Sequence, residues 1–314
     1  MGIRRILRLA GVFILGLATV PLGVNAALAD PPSPHRTWTV QVGEESHNQA
    51  IQGMAFLPAD IYIHPGDTIH WVANSAEIHT VTFLADQTAT TPPAFDPSNP
   101  AMLFPSVGST FSSGTYFNSG LLSNVSNSGF PTGGSYNLTF PATGNFTYFC
   151  LVHGAMMKGT VHVQSGRLPF SQKDYDHQGR ATTHAIMLDG QALWRETRED
   201  VSRHTVAMGA DDGTAMIMRF VRPTVVIHVG QSVTFENNGM AAPHTITFGA
   251  DPANPFVGYG DNTNFTGGNL NSGIVPPAPG PNHFTVTFNK AGTFHYYCAL
   301  HDYMGMVGKV IVEG

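Results

Sequence analysis

Charge is scarce in this chain. Of its 314 residues only 11% are Asp, Glu, Lys or Arg, with a formal net charge of −6. No basic stripe runs along it, so the electrostatic footprint of nucleic-acid binding is missing, while mild acidity suits solubility or a basic partner. Long helical periodicities are few. Instead 34 glycines and 22 prolines punctuate the sequence and 20 phenylalanines are spread through it, the profile of a loop-rich all-β protein. Long apolar runs are confined to the N-terminus, so no membrane-spanning segment is expected beyond it. Cysteine is scarcer still, at two residues, Cys150 and Cys298.

Residues 1–29 read as an export signal. Arg4, Arg5 and Arg8 form a basic start, Leu9 to Val24 is an apolar run interrupted by Pro21, and Ala27-Leu28-Ala29 is a small-residue cleavage site before Asp30. The apolar run is short for a bilayer span. The mature chain is therefore expected to begin near Asp30 and to work in the periplasm or outside the cell, by a Sec or a twin-arginine route. In such a compartment two cysteines would ordinarily be joined. Each, however, precedes a His by three residues, with Met following, and two separate sites explain both contexts better than one bridge.

An internal repeat supports that choice. Thr39-Val40-Gln41-Val42-Gly43 is answered by Thr205-Val206-Ala207-Met208-Gly209, Ile63-His64-Pro65-Gly66 by Ile227-His228-Val229-Gly230, and Trp71 and Asn74 by Phe235 and Asn238. His79-Thr80-Val81-Thr82-Phe83 then matches His244-Thr245-Ile246-Thr247-Phe248, and Tyr148-Phe149-Cys150-Leu151-Val152-His153 matches Tyr296-Tyr297-Cys298-Ala299-Leu300-His301, with order kept throughout. Each copy reads as short strands separated by turns, a β-sandwich pattern. In the second copy strands are expected near 204–209, 215–220, 224–229, 231–237, 244–248, 284–288, 292–298 and 306–312.

The chemistry concentrates in the C-terminal stretch Cys298 to Met306, where a thiol, an imidazole and a thioether follow a β-type run and precede another. A second imidazole, His244, starts an upstream strand. Thiolate, thioether and imidazole together suit copper, and two His with one Cys and a weak axial Met is the donor set of blue electron-transfer sites. The Asn-rich loop, the Pro-His pair and the distant Tyr-Tyr-Cys-x2-His-x4-Met-Val-Gly-Lys-Val of the second copy closely resemble plastocyanin within the cupredoxin family. The first copy, with its shorter Cys-to-Met loop, is more similar to amicyanin. The resemblance implies two Greek-key cupredoxin-like sandwiches in tandem, each holding one type 1 copper. The ligands it implies are His79, Cys150, His153 and Met157 in the first, and His244, Cys298, His301 and Met306 in the second. Met156 keeps a short His-x2-Met spacing and Met304 also lies in its loop, so both stand as alternative axial ligands. Met157 and Met306 are preferred because they share a Met-x-Gly-x-Val frame. One departure from the family is Thr80 and Thr245, where plastocyanin- and azurin-like proteins often carry Asn after the first ligand His.

The expected organisation is a signal over 1–29, a first domain over 30–163 with a long insertion at 86–136, a linker over 164–202 and a second domain over 203–314. A shorter counterpart of the insertion occupies 249–283. Both fall between the first His and the Cys, so they are expected beside the metal end of each sandwich. The linker gathers charge and carries intermittent apolar positions at Tyr175, Ile186, Leu188, Leu193 and Val201, which fit an amphipathic helix near 171–201 acting as spacer or packing. Gly179 and Gly190 argue against it. His177 and His184 there are expected to be solvated or packing residues.

The function expected from the resemblance is electron transfer between redox partner proteins, a donor and an acceptor, without nucleic acid. A two-domain copper enzyme of the multicopper oxidase or nitrite reductase type is the alternative. Such oxidases carry His-x-His and His-Cys-His elements, and neither occurs here. The remaining histidines, including the repeat equivalents His64 and His228, are scattered singly.

Overall fold

The turn residues cut the chain into short strands whose alternate side chains face inward. In the first, Trp38, Val40 and Val42 are buried between partly or fully exposed Thr37, Thr39 and Gln41. The computed structural model describes residues 34–314; the expected signal and its cleavage point after Ala29 lie outside them. The first half runs β1 (Thr37–Glu45), β2 (Ile51–Leu57), β3 (Asp60–Ile63), β4 (Thr68–Ala73) and β5 (Thr82–Phe83). A short helix, α1 (Pro100–Leu103), then precedes β6 (Phe117–Asn118), β7 (Ser135–Thr139), β8 (Gly144–Cys150) and β9 (Gly154–Val163). A long helix, α2 (Gln172–Asp200), leads to the second half. That half comprises β10 (Thr205–Asp211), β11 (Ala215–Val221), β12 (Thr224–His228), β13 (Ser232–Glu236), β14 (Thr247–Phe248), β15 (Leu270–Asn271), β16 (His283–Thr287), β17 (Gly292–Tyr297) and β18 (Val307–Glu313). Among the described residues no helix is long and apolar enough to cross a membrane.

The strands form two sandwiches that share a sheet. One eight-stranded sheet runs β16-β13-β10-β11-β2-β1-β4-β7, and each half adds its own five-stranded sheet, β3-β9-β8-β5-β6 or β12-β18-β17-β14-β15. The joint is antiparallel pairing of β2 with β11, Gln52 opposite Met216 and Ile51 opposite Ile217. Pairing edge to edge satisfies backbone groups that would otherwise be exposed on two sheet edges. The aromatic residues fill the sandwiches: Trp71 meets Tyr148 edge-on at 5.5 Å in the first, and Phe235 meets Tyr296 at 4.9 Å in the second, geometry that favours ring pairs.

Helix α2 lies across the shared sheet and packs on strands of both halves. Ser171 and Asp174 cap it reciprocally, and the Gln172 amide binds both backbone groups of Thr39. Tyr175 and Ile186 are buried. Ile186 packs with Ile51 and Ala215, one residue from each half. Leu193 and Val201 pack, partly buried, against the second half, whereas Leu188 is exposed. The glycines do not break the helix. At Gly190 the helix axis comes so close to β2 that a Cβ would run into Ile51, so glycine there permits packing that outweighs its propensity cost of about 1 kcal/mol.

One expectation on strands needs correction. The strand expected at 244–248 is only Thr247–Phe248, because His244 makes an isolated bridge and not a continuous ladder. The segment 86–136 ends inside β7, and it contains α1 and β6.

Candidate metal centres

Each centre starts from a glycine bulge. Gly43 and Gly209 stand at register shifts in β1 and β10 with φ of 75° and 74°, backbone that glycine adopts without penalty. A Cβ on Gly43 would collide with Ser75 and the His79 ring, and one on Gly209 would press on His244. The bulges make room for the first imidazole of each site.

The long loops then hold those imidazoles. His79 exchanges both backbone hydrogen bonds with Leu122, and His244 does so with Val275. Leu122 and Val275 belong to the two loops between His and Cys, so these loops pin the metal end. The Cys stands at the end of β8 or just past β17 and the second His in the turn that follows; the His301 amide, for example, donates to the Cys298 carbonyl at 3.0 Å.

In the first centre the Cys150 sulfur lies 3.3 Å from His153 Nδ1 and 3.8 Å from His79 Nδ1. In the second, the Cys298 sulfur lies 3.4 Å from His301 Nδ1 and 3.7 Å from His244 Nδ1. Within each set the three donor atoms lie within 4.8 Å of one another, and all six residues are buried. Both cysteines are free thiols, each in its own group of one thiol and two imidazoles. Met157 is buried in the apolar cluster containing Cys150, and Met306 in that containing Cys298. Met156 is 37% exposed. Met304 is buried among residues of the first half.

The thiols are primed as anions. Burial alone would raise the Cys150 thiol, but the imidazoles of His153 and His79 overcome it and hold the group well below its ordinary value. Cys298 is held down in the same way by His301 and His244. Conversely, His153 and His301 are raised, against burial, chiefly by their thiolate neighbours. A thiolate beside imidazoles that share its proton is the state a soft cation replaces, since metal binding displaces those protons. The donor set fits copper.

Threonine takes over the tie that the family often makes with Asn. The Thr80 hydroxyl accepts the Leu151 amide at 2.8 Å and the Thr245 hydroxyl accepts the Ala299 amide at 2.7 Å. The Thr80 and Thr245 amides each donate to the cysteine sulfur at 3.4 Å. One residue thus binds both ligand loops and the sulfur.

Glu77 is the buried carboxylate beside both sets that sequence reasoning missed. It is buried between the centres, with Oε1 3.7 Å from His153 Nε2 and Oε2 4.0 Å from His301 Nε2. Burial would raise its carboxyl, but His153, His301 and His79 lower it on balance. The repeat carried a signal: the residue two before His244 is Ala242, so only the first copy places a carboxylate there.

A cavity of about 630 Å³ opens beside Glu77, His153 and His301, walled by Pro92, Phe95 and Phe130 from one long loop and by Phe256 and Pro277 from the other. The remaining histidines sit elsewhere. His64 Nε2 contacts the Gly166 carbonyl, His162 stacks on Tyr62, and His177, His184 and His228 are exposed.

Two linked β-sandwiches, each with a buried thiol and two convergent imidazoles at one end, define a tandem metal-binding β-protein. The chain belongs to the plastocyanin/azurin family of copper binding proteins, whose family model matches residues 43–164 and again 204–313. It is 37% identical over 161 residues to the chloroplastic plastocyanin of Chlamydomonas reinhardtii, covering 50% of this chain and 100% of that one. It is 32% identical over 108 residues to plastocyanin of Rumex obtusifolius, covering 34% of this chain and 98% of that one. Among solved structures, the Cu(I) form of an amicyanin mutant matches at 26% identity with a TM-score of 0.24, covering 37% of this chain and 89% of that one.

Proposed function

We propose that this chain is an exported electron carrier holding two type 1 coppers, one in each half. The carrying observation is the duplicated, buried set of one thiol and two imidazole Nδ1 atoms. His79, Cys150, His153 and Met157 bind the first ion, and His244, Cys298, His301 and Met306 the second. Burial of Met157 against exposure of Met156 supports the former as axial ligand. When bound, copper supplies a reversible one-electron couple. The chain keeps its thiolates anionic, fixes the imidazoles by the Gly43 and Gly209 bulges and by backbone bonds to the long loops, and excludes water from the donors. Rigid donors favour small rearrangement on electron gain or loss, because packed interiors resist displacement. Donor and acceptor are redox partner proteins. The N-terminal signal, removed after Ala29, puts the domains over 30–163 and 203–314, joined through 164–202, in the periplasm or outside the cell.

A set saturated by two His, Cys and Met leaves no exchangeable position, whereas copper catalysis needs one. Copper-loaded protein is therefore expected to exchange electrons with small redox reagents but not to turn over dioxygen with a reducing substrate, or nitrite with a donor. Sustained turnover with either would replace the carrier by the enzyme.

A further inference from the structure

The two centres meet at one carboxylate. In each, the ring that follows the cysteine by three residues turns Nδ1 toward the sulfur and Nε2 the other way, and both outward nitrogens face Glu77. His79 is held differently, its Nε2 lying 2.9 Å from the Ser75 hydroxyl. Glu77 is itself anchored: its amide donates to the Gln52 side chain at 3.3 Å, and Gln52 is fully buried in the strand that joins the two halves. Tyr303, from the ligand loop of the second half, closes the site by donating to the Ala76 carbonyl at 3.2 Å.

This placement is not explained by folding. Glu77 Oε2 and His153 Nε2 are buried with only ion-pair contacts of 4.0 and 3.7 Å and no hydrogen bond, a loose pairing for a buried charge. The second sandwich builds its site with Ala242 at the equivalent position, so the sandwich does not need an acid there. A lone buried carboxylate spanning two ligand imidazoles has a role if both rings carry a cation on the other nitrogen. Ligating histidines commonly orient through a carboxylate on the far ring nitrogen.

We propose that Glu77 is a single positioning residue shared by both metal sites, orienting His153 and His301 together and supplying one negative charge to both. It rests on the copper reading above. The two sites are then one coupled unit in which the state of each ion is sensed by the other through a common anion.

The test isolates each site in turn. Cys298→Ser leaves the first site and Cys150→Ser the second, and Glu77→Gln is added to each. Copper affinity by competition with a chelator, reduction potential and the paramagnetic spectrum are read for each protein. Glu77→Gln is expected to weaken copper binding about 10- to 100-fold at both sites. It is also expected to shift both potentials upward, since removing a nearby negative charge disfavours the more positive ion. Ser75→Ala is expected to move the first site alone. Either site unmoved by Glu77→Gln would overturn the shared role. Should that variant fail to fold, Glu77→Asp, which keeps the charge but is one methylene too short to span both rings, must still move at least one site, and no change at either would also overturn it. A wild-type chain that takes up no copper would contradict the proposed function itself, which separates the two failures.

Discussion

Thr80 and Thr245 show how much of each centre hangs on single atoms. Thr80→Ala would strip the buried Leu151 amide of its acceptor and is expected to destabilise the protein by about 1–3 kcal/mol. Thr80→Ser should keep most of the stability, both measured by chemical unfolding. Cys150→Ser is expected to abolish one thiolate-to-copper absorption band and leave the Cys298 band, with the reverse for Cys298→Ser. Loss of both bands from either change would mean the sites are not independently built. The convergence of these thiols and imidazoles was legible in the sequence because their spacing recurs: Cys-x2-His twice, each with a distant His before a Thr-x-Thr run. Glu77 was not, because its partners come from separate segments and only folding brings His301 across to it.

At the scale of elements, α2 carries the clearest consequence. Ile186 is wedged between Ile51 and Ala215, and Ile186→Ala is expected to cost about 2–5 kcal/mol by leaving a cavity. Because the residue touches both halves, thermal unfolding should remain a single transition in the wild type and broaden or split in the variant. The helix was legible from its spaced apolar positions, whereas its Ser171–Asp174 cap was seen only in the structure. Its continuity through Gly190 was not legible, since the reason lies in the close approach to Ile51. The longer strands of the second half were readable as short β-type runs between turn residues. β14 was read but too long, because His244 at its start makes an isolated bridge with the long loop and not a ladder, and the two-residue β15 was not read at all.

On the scale of the molecule, the tandem arrangement was written in the repeat, but the fusion of both sandwiches through β2 and β11 was not. Edge pairing leaves no periodic mark, and Ile51, Gln52 and Gly53 read equally well as an outer strand. The fusion places two buried donor sets in one compact unit and brings their outer imidazoles to a common carboxylate. The central claim is that both sets hold copper as type 1 centres. It is tested most directly by counting metal per chain in the oxidised protein while recording its optical and paramagnetic spectra. The account predicts about two copper ions per chain and intense visible absorption from thiolate-to-copper charge transfer. A protein that takes up copper without colour, or one in which Cys150 and Cys298 are found joined, would contradict it.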